Sequence, residues 1–309
     1  MFTIVAFGFF HRFIGYFAIM IPSRVMQRQI LCIAGPTASG KSSRAVKEAL
    51  ERNGEIISVD SRQVYRGLDI GTEKITKKEM RGVPHHLIDI RDASETYSAG
   101  DFVADASRLI EEITARGKLP ILVGGTHFYF DALLHGLPIG TDINPVLRDE
   151  LEKLETRELY SRVRLADARR AGELDPKNRR RLIRALEIIE SLGSVPPRLV
   201  NTPPFGTRFN LVKYATEWIV TDPPREELRA RIDARLKSAL ERGLVDEVSR
   251  VREQVGGARL NELGLEYKIV GEYLRGERDE ESLLPTLSAK LWQYARRQKA
   301  WLRKLELDS

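Results

Sequence analysis

The chain has 309 residues, room for two average domains or one large domain carrying an insertion. Its hydrophobic share of 42% and charged share of 30% are those of a globular protein, and they exclude a disordered, collagen-like or multi-span membrane chain. A single cysteine, Cys32, excludes a disulfide framework and any cysteine-based zinc or iron–sulfur site. The formal charge of +6 sits almost wholly in residues 157–184, where ten basic residues face four acidic ones.

In chain order, residues 2–22 come first as a long apolar run. His11 and Arg12 interrupt it, and an arginine there costs at least ~2.5 kcal/mol in a bilayer. No basic residue precedes the run, as a secretion signal requires. Residues 1–29 therefore read as an extension that carries no chemistry, with Met26 as the working start, and no stable membrane partner is expected. The first predicted strand, ILCIAG (30–35), runs into Gly35, Pro36, Thr37, Ala38, Ser39, Gly40, Lys41 and Ser42. This is a complete G-x-x-x-x-G-K-[ST] motif between an apolar strand and a helix predicted over 42–53. Such glycines let backbone N–H groups wrap a diphosphate, and the helix start adds a favourable partial charge. Lys41 supplies a point charge, and the Ser42 hydroxyl reaches a magnesium ion. The loop predicts phosphate binding and leaves open what is done with the phosphates.

The second strand, EIISVD (55–60), ends in Asp60, beside the phosphate loop and at the end of the sheet where ligands bind. A carboxylate there either holds magnesium through water or takes a proton from an attacking nucleophile. Ser61 and Gln63 are able to hydrogen-bond a base edge or a backbone phosphate. The third strand is predicted over HLIDI (86–90). His85 and His86 point to opposite faces and have no third His or Cys nearby, so they read as structural rather than metal-binding. A helix over 99–116 leads to the fourth strand, PILVGG (120–125), and then to a helix over 127–134. Gly124 and Gly125 allow close approach of a ligand, and Thr126 offers a hydroxyl at the crevice rim. The aspartate that nucleotide hydrolases carry at the end of such a strand is absent, which favours a loop that simply holds a diphosphate.

Residues 140–205 change character to arginine-rich helices without a strand, closed by breakers from Gly193 to Gly206. The fifth strand, EWIVTD (217–222), resumes the sheet, and the rest is helical. In RIDAR, Arg231 and Arg235 lie one helical turn apart and share a face. Trp218, Trp292 and Trp301 fall on apolar faces and read as core. Continuous apolar strands alternating with helices predict an α/β fold: a P-loop parallel sheet flanked by helices, with an inserted all-helical domain and a helical C-terminal region. The sheet core spans 30–139 and 206–309, and the insertion spans 140–205. Arg179, Arg180, Arg181 and Arg184 give the insertion a surface for a polyanion. On these residues alone, a P-loop small-molecule kinase and a nucleotide-gated RNA-binding protein both stay open.

Seven motifs together resemble the tRNA dimethylallyltransferase (isopentenyltransferase) family across residues 30–304: GPTASGKS (35–42), DSRQVYRGLDIGTEK (60–74), PHHLIDI (84–90), YSAGDF (97–102), LVGGTHFYFDALLHGL (122–137), RRLIRALEI (180–188) and ARRQKAWLRK (295–304). The resemblance implies transfer of a dimethylallyl group from dimethylallyl diphosphate to N6 of the adenosine 3′-adjacent to the tRNA anticodon, in a cytoplasmic monomer. It implies a diphosphate held by residues 35–42 and by an arginine of RIDAR, assigned to Arg231, with Mg2+ on Ser42. By the same resemblance Asp60 takes the N6 proton, and Thr126 orients the base or the leaving oxygen. Asp60, Ser61, Arg62, Gln63, Thr126, Arg148, Arg180, Arg181, Leu182, Ile183 and Arg184 would contact the anticodon stem-loop. The chain departs from the family pattern in two places. Gly264-Leu265-Glu266-Tyr267-Lys268 stands where Gly-Tyr-Lys-Glu is common, and Leu291-Trp292-Gln293 stands where Thr-Arg-Gln is common.

Overall fold

The computed structural model describes residues 28–137, 144–196 and 214–307; the N-terminal stretch with Met26 and the breakers from Pro197 to Gly206 lie outside the described residues. Five strands form one parallel sheet: β1 (Arg28–Ala34), β2 (Gly54–Val59), β3 (His85–His86), β4 (Leu119–Gly124) and β5 (Tyr214–Val220). Their order is β3-β2-β4-β1-β5. Every residue of β2 is buried, as a strand covered on both faces demands. Alternation along β1 sends Leu31 and Ile33 to one face and Ile30, Cys32 and Ala34 to the other. The first face packs on Ala45, Val46 and Ala49 of α1 (Lys41–Glu51). The second packs on α3 (Ala99–Ala115), α4 (His127–His135) and the C-terminal helices. In the chain, β2 and β3 are separated by a single short turn of helix, α2 (Lys77–Met80), closed by a capping box from Thr76 and Glu79.

The third strand is shorter than its apolar run predicts. Leu87 (φ 61°) and Asp89 (φ 57°) are left-handed, so the ladder stops at His86 and the chain turns back to Val64, whose carbonyl accepts from both Ile90 and Arg91. His86 reaches Glu55 at 2.7 Å and His85 the Val83 carbonyl at 2.8 Å, so the two rings do serve separate partners.

The arginine-rich stretch folds as α5 (Pro145–Glu152), α6 (Thr156–Ala166), α7 (Ala168–Glu173) and α8 (Arg179–Leu192). These helices bury Leu151, Leu159, Val163, Leu174, Leu182, Ile183 and Ile188 against one another, in a core separate from that of the sheet. β5 then pairs with β1 along its whole length, from Arg28–Tyr214 to Ala34–Val220. Four helices complete the chain: α9 (Arg225–Glu241), α10 (Leu244–Leu260, broken at Gly256), α11 (Leu265–Leu274) and α12 (Leu283–Leu307). Trp292 is buried, and Trp218 and Trp301 pack on Phe130 at 5.3 and 6.1 Å between ring centroids. None of the described helices is long and apolar enough to cross a membrane.

At the sheet end opposite the crevice, buried Glu55 takes Arg116, Lys118 and His86 at 2.6–3.0 Å. Burial alone would raise its carboxyl, but hydrogen bonds from Arg116, His86 and Lys118 outweigh it and hold the group near 2, below the usual 4.5. A depressed folded-state value means that the stabilisation is complete above about pH 4.5 and is lost as pH falls toward 2. Glu55→Gln is expected to cost about 1–3 kcal/mol at pH 7. Thermal melts across pH should show the gap to wild type closing below pH 4.5; a constant gap would refute the assignment.

Candidate active site

The phosphate loop needs unusual backbone, and its residues supply it. Ala38 (φ 61°) and Gly40 (φ 86°) are both left-handed. Gly35 leaves no space: a Cβ there would stand 2.1 Å from Thr221 Oγ1, at the end of β5. Ser39 and Thr221 share a hydroxyl–hydroxyl bond of 2.7 Å, so the loop is tied to the neighbouring strand. Lys41 Nζ donates to the Pro36 carbonyl at 3.2 Å. Burial lowers the Lys41 ammonium to about 8, against the opposing pull of Asp60. The two side chains therefore feel one another across the crevice.

Asp60 follows β2 directly. Its Oδ1 accepts the N–H groups of Arg62 (2.8 Å) and Gln63 (3.2 Å), which fixes the carboxylate and leaves Oδ2 without a hydrogen bond from any described residue. Thr126 Oγ1 accepts from the Ser61 N–H at 3.2 Å, and the Thr126 N–H donates to Val59 O, so the β4–α4 turn is pinned to the Asp60 loop. The Gln63 side chain is engaged by Ser58 and by the Thr72 carbonyl. A cavity of about 510 Å3 opens between these pieces. Thr37, Ala38, Ser39, Gly40, Lys41 and Ser42 form one wall, and Asp60, Ser61, Arg62 and Gln63 another. Gly35, Pro36 and Thr126 are not among the residues that line the cavity.

Gly124, the last residue of β4, and Gly125 both line the cavity, and the backbone packs tightly around them. A Cβ at Gly124 would lie 2.0 Å from the Val59 carbonyl, and one at Gly125 would lie 2.4 Å from the Gln298 amide. That tight fit is made by the protein's own Val59 and Gln298. It also explains the missing aspartate, since no side chain fits at Gly124.

Of the arginine pair on α9, Arg235 lines the cavity. It contacts the Thr37 hydroxyl and is held by Glu73 (3.2 Å) and Glu266 (3.7 Å). Arg231 lies on the outer side of the loop, with Glu227 at 2.5 Å and the Ser39 carbonyl at 3.4 Å. Glu266 and Tyr294 complete the far wall, where desolvation raises both groups' proton affinities. Both departures from the family pattern reach this wall, through Leu265, Glu266, Tyr267 and Leu291. Buried Glu247 accepts the N–H groups of Asp69 (3.0 Å), Ile70 (2.7 Å) and Gly71 (2.9 Å) and the Tyr267 hydroxyl (2.7 Å). That carboxylate organises the GLDIGT part of the 60–74 motif. Glu247 escapes a motif reading; Gln298 falls within ARRQKAWLRK (295–304), though without an assigned role, and stands there as the polar residue on the stripe Leu287, Leu291, Ala295, Leu302.

In the insertion, Leu182 and Ile183 are buried in the helical core, so their side chains present no surface there to an RNA. Arg148 makes a bidentate pair with buried Glu187 at 2.8 Å on each arm, and Arg184 joins the same carboxylate at 3.1 Å. Arg179 clamps Glu152 and the end carbonyls of α5. Arg180 is 82% exposed, touching Glu262 of the core at 3.3 Å, and Arg181 is exposed as well.

A complete phosphate loop at the carboxyl end of a parallel sheet, faced by a fixed carboxylate in an open cavity, defines a P-loop α/β protein with a catalytic crevice. The IPP transferase family profile matches residues 63–305, and the chain belongs to that family. It is 40% identical to a tRNA dimethylallyltransferase of Anaeromyxobacter dehalogenans over 280 residues, 89% of this chain and 92% of that one. A tRNA dimethylallyltransferase of Thermomicrobium roseum is also 40% identical, over 91% of this chain and 85% of its own. Among solved structures, the full-length tRNA isopentenylpyrophosphate transferase of Bacillus halodurans superposes with a TM-score of 0.64 at 38% identity, covering 89% and 87% of the two chains. A eukaryotic dimethylallyltransferase acting on tRNA gives 0.74 at 30% identity, covering 89% of this chain and 70% of that one.

Proposed function

We propose that the chain transfers the dimethylallyl group of dimethylallyl diphosphate to N6 of the adenosine 3′-adjacent to the anticodon of tRNA, releasing diphosphate. The observation that carries this reading is the meeting of the phosphate loop and Asp60 on one cavity. The exocyclic N6 is a poor nucleophile because its lone pair is delocalised into the ring. As its bond to the allylic carbon forms and the carbon–oxygen bond to diphosphate breaks, N6 must shed a proton. The free Oδ2 of Asp60 is the group to take it. Lys41 and the loop N–H groups hold the departing diphosphate and its growing charge, and the geometry favours Arg235 over Arg231 as the arginine that joins them. The Ser42 hydroxyl on the cavity wall is a hard oxygen donor of the kind Mg2+ accepts beside phosphate oxygens, and the ion would neutralise diphosphate charge there. Thr126 acts through Ser61, keeping the Asp60 loop in register with β4. Incubating tRNA with the protein and dimethylallyl diphosphate, followed by mass spectrometry of the nucleosides, tests the reading. Unchanged adenosine would refute it, and label moved from ATP to a small acceptor would favour a kinase.

The insertion supplies the grip on the anticodon stem-loop, and among the arginines at the start of α8 the exposed ones are Arg180 and Arg181. Replacing both by alanine is expected to weaken tRNA binding and to flatten its log–log salt dependence by up to about one unit per lost phosphate contact. Filter binding between 50 and 200 mM salt reads this out; a slope equal to that of wild type would leave the two arginines as solvated surface.

A further inference from the structure

Gln298 sits on the inner face of α12 and is 3% exposed. Its Oε1 accepts the Thr37 N–H at 2.9 Å, inside the phosphate loop, and its Nε2 donates to the Gly125 carbonyl at 2.8 Å, in the turn before Thr126. We propose that Gln298 is a positioning residue for the transfer reaction, locking the diphosphate loop at a fixed distance from the turn that holds the Asp60 loop. The inference rests on the reading above and extends it to a residue at the cavity wall that acts through its two backbone partners.

Three observations carry it. The partners require an acceptor at one end and a donor at the other, and a primary amide is the side chain that presents both in one plane. The position is one helical step in an otherwise apolar stripe (Leu287, Leu291, Ala295, Leu302), so a polar group there needs a reason beyond packing. Finally, a Cβ on Gly125 would lie 2.4 Å from Nε2, so the second glycine of the β4 turn is needed for this amide. The connection then continues without a break: Gln298 to Gly125, Thr126 to the Ser61 N–H at 3.2 Å, and Asp60 next in sequence. The phosphate loop and the proton acceptor thus share one reference point, and an error of about 1 Å between such groups can cost about 10²-fold in rate.

The test uses the full chain with Gln298→Leu and Gln298→Glu. Leucine removes both bonds, so kcat/KM for dimethylallyl diphosphate is expected to fall about 10²-fold, and the Kd for inorganic pyrophosphate by calorimetry to rise about 10-fold, with tRNA Kd within twofold. Glutamate still accepts from Thr37 but cannot donate to Gly125. Its carboxylate also adds negative charge beside the loop, so pyrophosphate affinity should fall a few-fold. Turnover, which also needs the Gly125 link, should fall about 10²-fold with tRNA Kd unchanged, a split that a purely structural residue would not produce. Wild-type values for both variants, or losses in Gln298→Glu that spread equally over pyrophosphate, tRNA and turnover, would overturn the proposal. Should the leucine variant fail to melt cooperatively, the glutamate variant decides alone. Pyrophosphate binding does not depend on prenyl transfer, so a wild-type protein that leaves tRNA unmodified would sink the proposed function while Gln298 is still judged.

Discussion

Asp60→Asn is expected to lower turnover by roughly 10²–10⁴-fold, the usual worth of a positioned base. Asparagine keeps the shape, and its amide oxygen can still accept from the Arg62 and Gln63 N–H groups that hold Oδ1 at 2.8 and 3.2 Å. It cannot take a proton from N6. The lost interaction belongs to the transition state, so the KM values for tRNA and for dimethylallyl diphosphate should change little. A carboxylate that only steadied Mg2+ would behave differently: the same substitution would weaken diphosphate binding, and added magnesium would restore part of the rate. Steady-state kinetics across a magnesium titration separates the two, and magnesium rescue would remove Asp60 from the role of base.

Lys41→Ala should be the next most damaging change. The ammonium sits where desolvation already lowers its proton affinity, with Asp60 as the nearby group opposing that shift. Removing it leaves the departing diphosphate without its point charge, and kcat/KM for dimethylallyl diphosphate is expected to fall about 10²–10³-fold. The proposed tRNA grip lies on other elements, so tRNA Kd should stay within about twofold. Equal losses in both affinities would mean that the loop serves the RNA as well.

The parallel sheet was readable because strands covered on both faces must be apolar throughout, as in ILCIA, EIISV and PILVG. HLIDI misled for a local reason, since Leu87 and Asp89 adopt positive φ that no hydrophobic pattern reports. The phosphate loop and Asp60 stand in sequence-local motifs next to strand ends, and for that reason they could be found without coordinates. Glu247 and Gln298 could not be placed that way. Each reaches its partners from far along the chain, 176 residues for Glu247 to Gly71 and 261 for Gln298 to Thr37. The arginine-rich helix shows the opposite failure. Composition gave the correct sign of its charge, but it could not tell exposed Arg180 from Arg179, folded over the end of α5, or from Leu182 and Ile183 in the core.

The same long-range pairing has a bearing on how the protein is made. A ribosome adds about 5–20 residues per second, so the phosphate loop waits roughly 10–50 s between its own synthesis and that of Gln298. For much of that interval β1, an interior strand of the finished sheet, also lacks its β5 neighbour. A nascent chain can complete the self-contained helical insertion early, yet its anion-binding loop acquires its last internal partner only when α12 docks. Premature release of the chain therefore yields a polypeptide with the full Gly35–Ser42 sequence and an unfinished site.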